Sequence, residues 1–175
     1  MGRFPKRMGL RSPSVALVLD AIRHLLRDSG VRYREEHHEP TRTSEESARA
    51  RGEPLEVGGK AIVLKVDDTF KLFVLSAARG IDSGAIRRRF GARKSRFATP
   101  EELQAITGLA QGAVPPFGRP ILDLDLYADP SIQANDRIAF NAGSLTDSII
   151  MSTADYITAA APVIFGFSRA TAPSE

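Results

Sequence analysis

The sequence predicts a single domain with a mixed-sheet α/β or α+β fold, and three observations lead there. Stretches with strand-like and helix-like periodicity interleave along the 175 residues without the regular alternation of a doubly wound fold. No internal repeat or interdomain linker divides the chain, whose length suits one domain of roughly 100–200 residues. Hydrophobic residues at 42% and charged residues at 26% are typical of a globular chain, which excludes a wholly disordered or collagen-like polymer.

Residues 1–11, with Arg3, Lys6, Arg7 and Arg11 and little to bury, read as a flexible basic tail, and the folded domain is expected over 12–168. Pro13 suits a first helical turn. Val15, Leu19, Ile22, Leu25 and Leu26 then recur at helical spacing until Gly30, predicting a helix over 13–29. Val31 to Arg34 alternates as a short strand. After the break at Pro40, Thr43-x-x-Glu46 has capping-box spacing for a short helix ending near Gly52. The β-rich runs Lys60 to Val66 and Phe70 to Leu75 flank the turn Asp67-Asp68-Thr69 and predict a hairpin of two central strands. Asp82 or Ser83 caps a helix running to Phe90, and Lys94 to Ala98 is a short strand. Thr99-Pro-Glu-Glu102 repeats the capping box with proline at the first helical position. Gly108 to Arg119, with glycines at 108, 112 and 118 and the pair Pro115-Pro116, reads as an ordered loop of the kind that contacts ligands. Pro120 to Leu124, Arg137 to Asn141 and Asp147 to Met151 follow as strands. Ser152 caps another short helix, Ala161 to Phe167 is a final apolar run, and 169–175 forms a tail that frays from Thr171.

Whole function classes drop out. No apolar run approaches the roughly 20 residues that cross a bilayer, and the basic start leads into Asp20, Arg23 and Arg27, so no membrane partner is expected. Zero cysteines exclude disulfides, a thiol nucleophile and thiolate metal sites, and suit a cytoplasmic location. There is no P-loop, no dinucleotide glycine fingerprint, no H-E-x-x-H and no G-x-S-x-G. His37 and His38 are adjacent and would point to opposite faces of a strand, with no third ligand at metal spacing, so neither a metal nor a cofactor is called for. The net charge of +3 conceals an asymmetry. Residues 1–100 hold 21 Lys+Arg against 12 Asp+Glu, whereas 101–175 hold 3 against 9. A basic front half fits a polyanion partner, and it equally fits a solvated surface.

Lys60 follows Gly58-Gly59 at the mouth of an apolar strand, where a lysine either faces a pocket or simply reaches into water. The glycines of the 108–119 loop either expose backbone N–H groups to an oxyanion or a terminal ribose, or make a tight crossover. Asn141-Ala-Gly-Ser144 either walls the same pocket or is a plain turn. Ile86 to Phe97 holds six basic residues and two phenylalanines. Helical spacing puts Ile86 and Phe90 toward the core, both phenylalanines read as packing, and Arg87, Arg88, Arg93 and Lys94 remain as candidate contacts to the phosphates of a nucleic acid.

In order, the carrying residues are His38-Glu-Pro40 with Thr43 to Glu46, Gly59-Lys60-Ala-Ile-Val-Leu64, Thr107-Gly108 with Gly112-Ala-Val-Pro-Pro-Phe-Gly118, and Phe140-Asn-Ala-Gly143. Over residues 14–167 this arrangement resembles the YbaK/prolyl-tRNA-synthetase-associated family, free-standing aminoacyl-tRNA deacylases related to the editing insertion of prolyl-tRNA synthetase. The resemblance implies a mixed α/β fold with a central, partly barrel-like sheet, and hydrolysis of the ester of a mischarged tRNA, with an aminoacyl-tRNA synthetase as a further partner. Lys60 and Gly112 take the family's active-site positions, with His38, Thr43, Ala113, Pro115, Asn141 and Gly143 as substrate-binding positions. Some members have serine where this chain has Asn141-Ala142. Attack would come from water or from a group on the substrate, with N–H groups around Gly112 and Ala113 holding the oxyanion or the terminal adenosine and Lys60 supplying orientation or charge. The stretch Thr41 to Glu46 resembles members acting on small or hydroxylated amino acids, which gives alanine, serine or threonine. The alternative is a noncatalytic tRNA- or synthetase-binding module of the same fold.

Overall fold

The amphipathic start of the chain forms α1 (Val15–Asp28), which buries Val18, Ile22 and Leu26 and leaves Asp20 in solvent. The computed structural model describes residues 15–171. The basic tail, the expected start of the helix at Pro13 and the expected fraying after Thr171 lie outside the described residues. The Val31 N–H turns back to Leu26 O, so the strand begins two residues later than expected, as β1 (Tyr33–His37). Both capping boxes form. Thr43 and Glu46 close the start of α2 (Ser44–Arg51), and Thr99 and Glu102 that of α4 (Pro100–Thr107). Between these helices Asp82 caps α3 (Ser83–Phe90), and later Ser152 caps α5 (Thr153–Ala160).

The hairpin of β2 (Gly59–Val66) and β3 (Thr69–Ser76) is central, as expected. It lies inside a five-stranded sheet of order β5-β2-β3-β6-β9, completed by β5 (Ser95–Phe97), β6 (Leu126–Ala128) and β9 (Val163–Ile164). β6 runs parallel to β3 and β9 parallel to β6, while β2 is antiparallel to both its neighbours, which makes the sheet mixed. A second, antiparallel sheet of order β1-β8-β7 uses β7 (Arg137–Asn141) and β8 (Asp147–Ser152). The short ribbon of β4 (Arg79–Ile81) and β10 (Ser168–Ala170) carries the paired chain through Ala170. The two larger sheets touch at one parallel bridge, Gly58 to Ala139, and do not close into a barrel. A Cβ on Gly59 would lie 2.6 Å from Ile138 Cδ1, so glycine is what permits this approach.

Two expectations are corrected. Pro120 to Leu124 is not a strand: the N–H groups of Ile121 and Leu122 both donate to Gly118 O, and Arg119 bonds Asp123 and Asp125, which winds the segment into turns. Leu122 and Leu124 are buried all the same, so their alternation reflected burial and not pairing, and the strand starts at Leu126. Phe97 is not packing. Phe90 packs with Phe73, Tyr127, Phe165 and Phe167 in an aromatic cluster above buried Ile86, but Phe97 is 59% exposed.

Asp129 ties the C-terminal segment to the core. Its buried carboxylate accepts N–H bonds from Ser131, Phe167 and Ser168 and the Ser168 hydroxyl. Burial alone would raise its pKa, and those hydrogen bonds outweigh burial and hold it below the usual carboxylate value. Stability drawn from this shift is present above the unfolded value of about 3.9 and is lost as pH falls through the lower folded value. Asp129→Ala is expected to cost about 2–4 kcal/mol at neutral pH in urea unfolding, and to flatten the loss of stability that the wild type shows on acidification below about pH 4.

Candidate functional site

A cleft of about 110 Å³ opens where the start of α2, the start of β2 and the 108–119 loop converge. Lys60, Gly112, Asn141 and Thr43 from the sequence-derived set all line it, joined by Thr41, Ser47 and Arg51. Among the described residues no group of His, Asp and Glu side chains is assembled to hold a metal, and no helix is long and apolar enough to cross a membrane.

Lys60 stands opposite Leu75 in the β2–β3 ladder, and its ammonium has no hydrogen bond or ion pair among the described residues. Burial lowers its pKa, an effect that the more distant charge of Glu45 only partly offsets. Arg51 is buried at the end of α2, and burial pushes it down to about 10 against a small opposing effect of Glu53. Its guanidinium donates to Ser148 Oγ at 2.9 Å, Asn141 Oδ1 at 2.8 Å and Ala139 O at 3.4 Å, all of them neutral acceptors. With Arg42, which also lines the cleft, three cationic residues therefore meet one small space whose lining holds no carboxylate. Such a site favours negative charge on a ligand.

The loop opposite is fixed from behind. Gly112 has φ +88, which a side chain would disfavour, and its carbonyl accepts the Asn141 Nδ2–H at 2.7 Å. The Gly112 N–H has no bond among the described residues. The Ala113 N–H is already given to Ala110 O, so it is not a free donor for an oxyanion, and Ala113 O accepts from Gly143. Gly143 lies against Val18 of α1. Pro115 is buried, and its neighbour Pro116 is held by the Tyr156 hydroxyl at 2.7 Å. His38 bonds Ser148 Oγ at 2.8 Å and reaches the cleft only through Ser148 and Asn141. His38, Ala113, Pro115 and Gly143 thus stand outside the lining and hold the lining residues in place.

Arg88, Arg93 and Lys94 are exposed and Arg87 half-buried, all on α3 and its link to β5 and none in the cleft. No ion pair engages any of the four among the described residues, and the backbone N–H groups of Arg93 and Lys94 are pinned by Asp67 Oδ1. Sequence reasoning missed Arg51, Ser47 and Ser148, and reached Thr41 only as part of the stretch Thr41 to Glu46. The one available signal was the Ser47/Arg51 spacing of four beside Ala48, which puts all three on the buried face of a helix that is otherwise charged.

Arg51→Ala strands the buried acceptors of Ser148 and Asn141 and is expected to cost about 2–4 kcal/mol in urea unfolding. Lys60→Ala removes a half-buried charge that no partner compensates, so its melting temperature should equal or exceed that of the wild type by differential scanning fluorimetry.

The profile of the aminoacyl-tRNA editing domain matches residues 38–159, which takes in every residue that lines the cleft and all strands of the two larger sheets except β1 and β9. A multifunctional Ser/Thr-tRNA deacylase, ProXp-y, of Escherichia coli K12 is 36% identical over 151 residues, covering 83% of this chain and 89% of that protein. A proline–tRNA ligase of Shouchella clausii is 34% identical over 101 residues, or 58% of this chain and 18% of the ligase. The crystal structure of a proposed trans-editing enzyme for prolyl tRNA synthetase shares the fold, with a TM-score of 0.73 at 24% identity over 87% of this chain and 97% of that one. A domain profile running through more than two thirds of the sequence, and a relative aligned over nearly its whole length, lead to one conclusion: the chain belongs to the aminoacyl-tRNA editing domain family.

Proposed function

We propose that the chain is a trans-acting aminoacyl-tRNA deacylase that hydrolyses the ester between a misattached amino acid and the 3′ end of tRNA, with serine and threonine as its substrates. The observation that carries this reading is the unpartnered Lys60 sharing a small cleft with Gly112, whose N–H is unengaged among the described residues. No carboxylate or imidazole lines the cleft, so none of its hydroxyls has a base to activate it. The Thr43 hydroxyl accepts the Glu46 N–H, and Thr41 and Ser47 bond each other. Attack therefore falls to water, which gives up a proton as it adds, and the neighbouring hydroxyl of the terminal ribose is the substrate group placed to pass that proton on. The attacking oxygen adds to the ester carbonyl, negative charge collects on the carbonyl oxygen, and collapse breaks the bond to the ribose oxygen, which takes up a proton. The Gly112 N–H and the Lys60 ammonium suit that oxyanion, and one such donor is worth roughly 10²–10³ in rate.

The cleft wall supports a hydroxylated substrate. Thr41 and Ser47 are buried and share one hydrogen bond of 2.8 Å, which leaves one of their two O–H protons free to donate. A buried hydroxyl pair of this kind rewards a substrate that completes it and penalises one that leaves it open. The Escherichia coli relative carries Ser/Thr-tRNA deacylase in its name. The presence of a similar segment in proline–tRNA ligases supports a working association with a synthetase.

The test is deacylation of tRNAs charged with Ala, Ser, Thr, Cys and Pro. Ser- and Thr-tRNA should turn over well above the spontaneous rate, with a loss of roughly 10²–10³ in Lys60→Ala. Binding of tRNA without turnover of any of the five would sink the enzyme reading and leave a noncatalytic module. A Ser47→Ala variant should lose Ser- and Thr-tRNA while gaining, relative to them, on Ala-tRNA.

A further inference from the structure

We propose that Phe97 is the stacking platform for the terminal adenine of the substrate tRNA, in an apolar cleft that continues the ester-binding cleft beyond Gly112. This rests on the deacylase reading, which requires an adenosine attached to the reacting ester. Among the described residues Phe97 is the one aromatic side chain among the exposed large hydrophobics. It joins none of the hydrophobic clusters and pairs with no other ring. Exposure of this size on an aromatic side chain needs a reason, because Phe90, seven positions earlier in the same basic segment, is packed inside.

The exposure is held in place. Phe97 pairs with Leu64 in the β5–β2 ladder, and the Ala98 N–H donates to Val63 O at 3.0 Å. The Arg96 guanidinium donates to Phe97 O at 3.1 Å and grips Glu102 through two bonds of 2.8 Å, and Glu102 in turn closes the capping box of α4. A ring on so fixed a backbone offers stacking area with little freedom to lose.

The cleft that Phe97 borders has a volume of about 160 Å³ and shares Ala61, Gly112 and Val114 with the ester-binding cleft. The two clefts adjoin along those three residues. Leu64, the partner of Phe97, lies four residue steps along β2 from Lys60, a span of about 13 Å. That suits a ribose esterified at one end and carrying a flat base at the other. Gln111, the one polar side chain in the lining, has the paired donor and acceptor that an adenine edge accepts. Arg93 and Lys94, exposed and without ion pairs among the described residues, stand four and three positions before Phe97, so cations flank a ring as they do where proteins follow a single strand.

The test is a cycle in steady-state deacylation of Ser-tRNA. Wild type and Phe97→Ala are each given tRNA ending in adenosine and tRNA ending in an abasic ribose. In wild type, removing the base should raise KM about tenfold or more; in Phe97→Ala the intact substrate should already show that rise, with kcat within about twofold, and base removal should add nothing. Phe97→Tyr should restore the wild-type KM. An unchanged KM in Phe97→Ala, or an equal further loss on base removal, overturns the proposal. A second arm uses an uncharged acceptor-stem oligonucleotide with 2-aminopurine as its terminal base. Binding to wild type should quench its fluorescence, and binding to Phe97→Ala should not; equal quenching overturns the base site. If wild type hydrolyses no ester while this quench persists and depends on Phe97, the deacylase reading fails and the base site stands.

Discussion

The approach of β2 to β7 at Gly58 and Gly59 is the constraint on which the rest of the molecule depends. Gly59 meets Ile138 with no space for a side chain, and Gly58 makes the bridge to Ala139 that joins the two larger sheets. Everything in the cleft is reached by short steps from that contact. Lys60 is the next residue along β2, Asn141 lies two positions beyond Ala139, and Arg51 donates to the Ala139 carbonyl itself. A larger residue at position 59 would displace the Ile138 side chain and disturb the packing between β2 and β7 beside these groups.

The chemistry of the cleft follows from its electrostatics. Arg51 is held by three neutral acceptors and Lys60 by none, so the folding of the chain concentrates positive charge and leaves it without an internal counterion. Burial of such groups opposes folding. The cost is borne by the large apolar core on the far side of the hairpin and by an aromatic cluster built from Phe73, Phe90, Tyr127, Phe165 and Phe167. An oxyanion arriving in the cleft finds charge already oriented, so little reorganisation remains for the reaction step.

Features decided within a few residues were legible in the sequence. Both Thr-x-x-Glu capping boxes, the Asp67-Asp68 turn and the strands on either side of it depend on neighbours in the chain, and they formed where expected. Of the positions carried over from the family resemblance, Lys60, Gly112, Thr43 and Asn141 line one cleft, whereas His38, Ala113, Pro115 and Gly143 stand outside its lining. What escaped depended on distant partners. Arg51 looks like one more charge on a charged helix until Ser148, 97 residues away, gives it an acceptor. Leu122 and Leu124 alternate like a strand, yet their backbone turns on Gly118. Phe97 reads as packing because apolar side chains usually go inside, and only the edge position of β5 reveals that nothing covers it.

The second sheet places β8 between β1 and β7, so the strand nearest the start of the described chain pairs with one that begins at Asp147. During synthesis, β1 and α2 leave the ribosome long before β8 exists to receive them. The Arg51 contacts to Ser148 and Asn141 arise only when nearly the whole domain has emerged. The cleft is therefore assembled from segments far apart in the chain. A chain that ended before β8 would carry Lys60 and the hairpin yet lack the Ser148 acceptor that helps to hold Arg51 at the cleft.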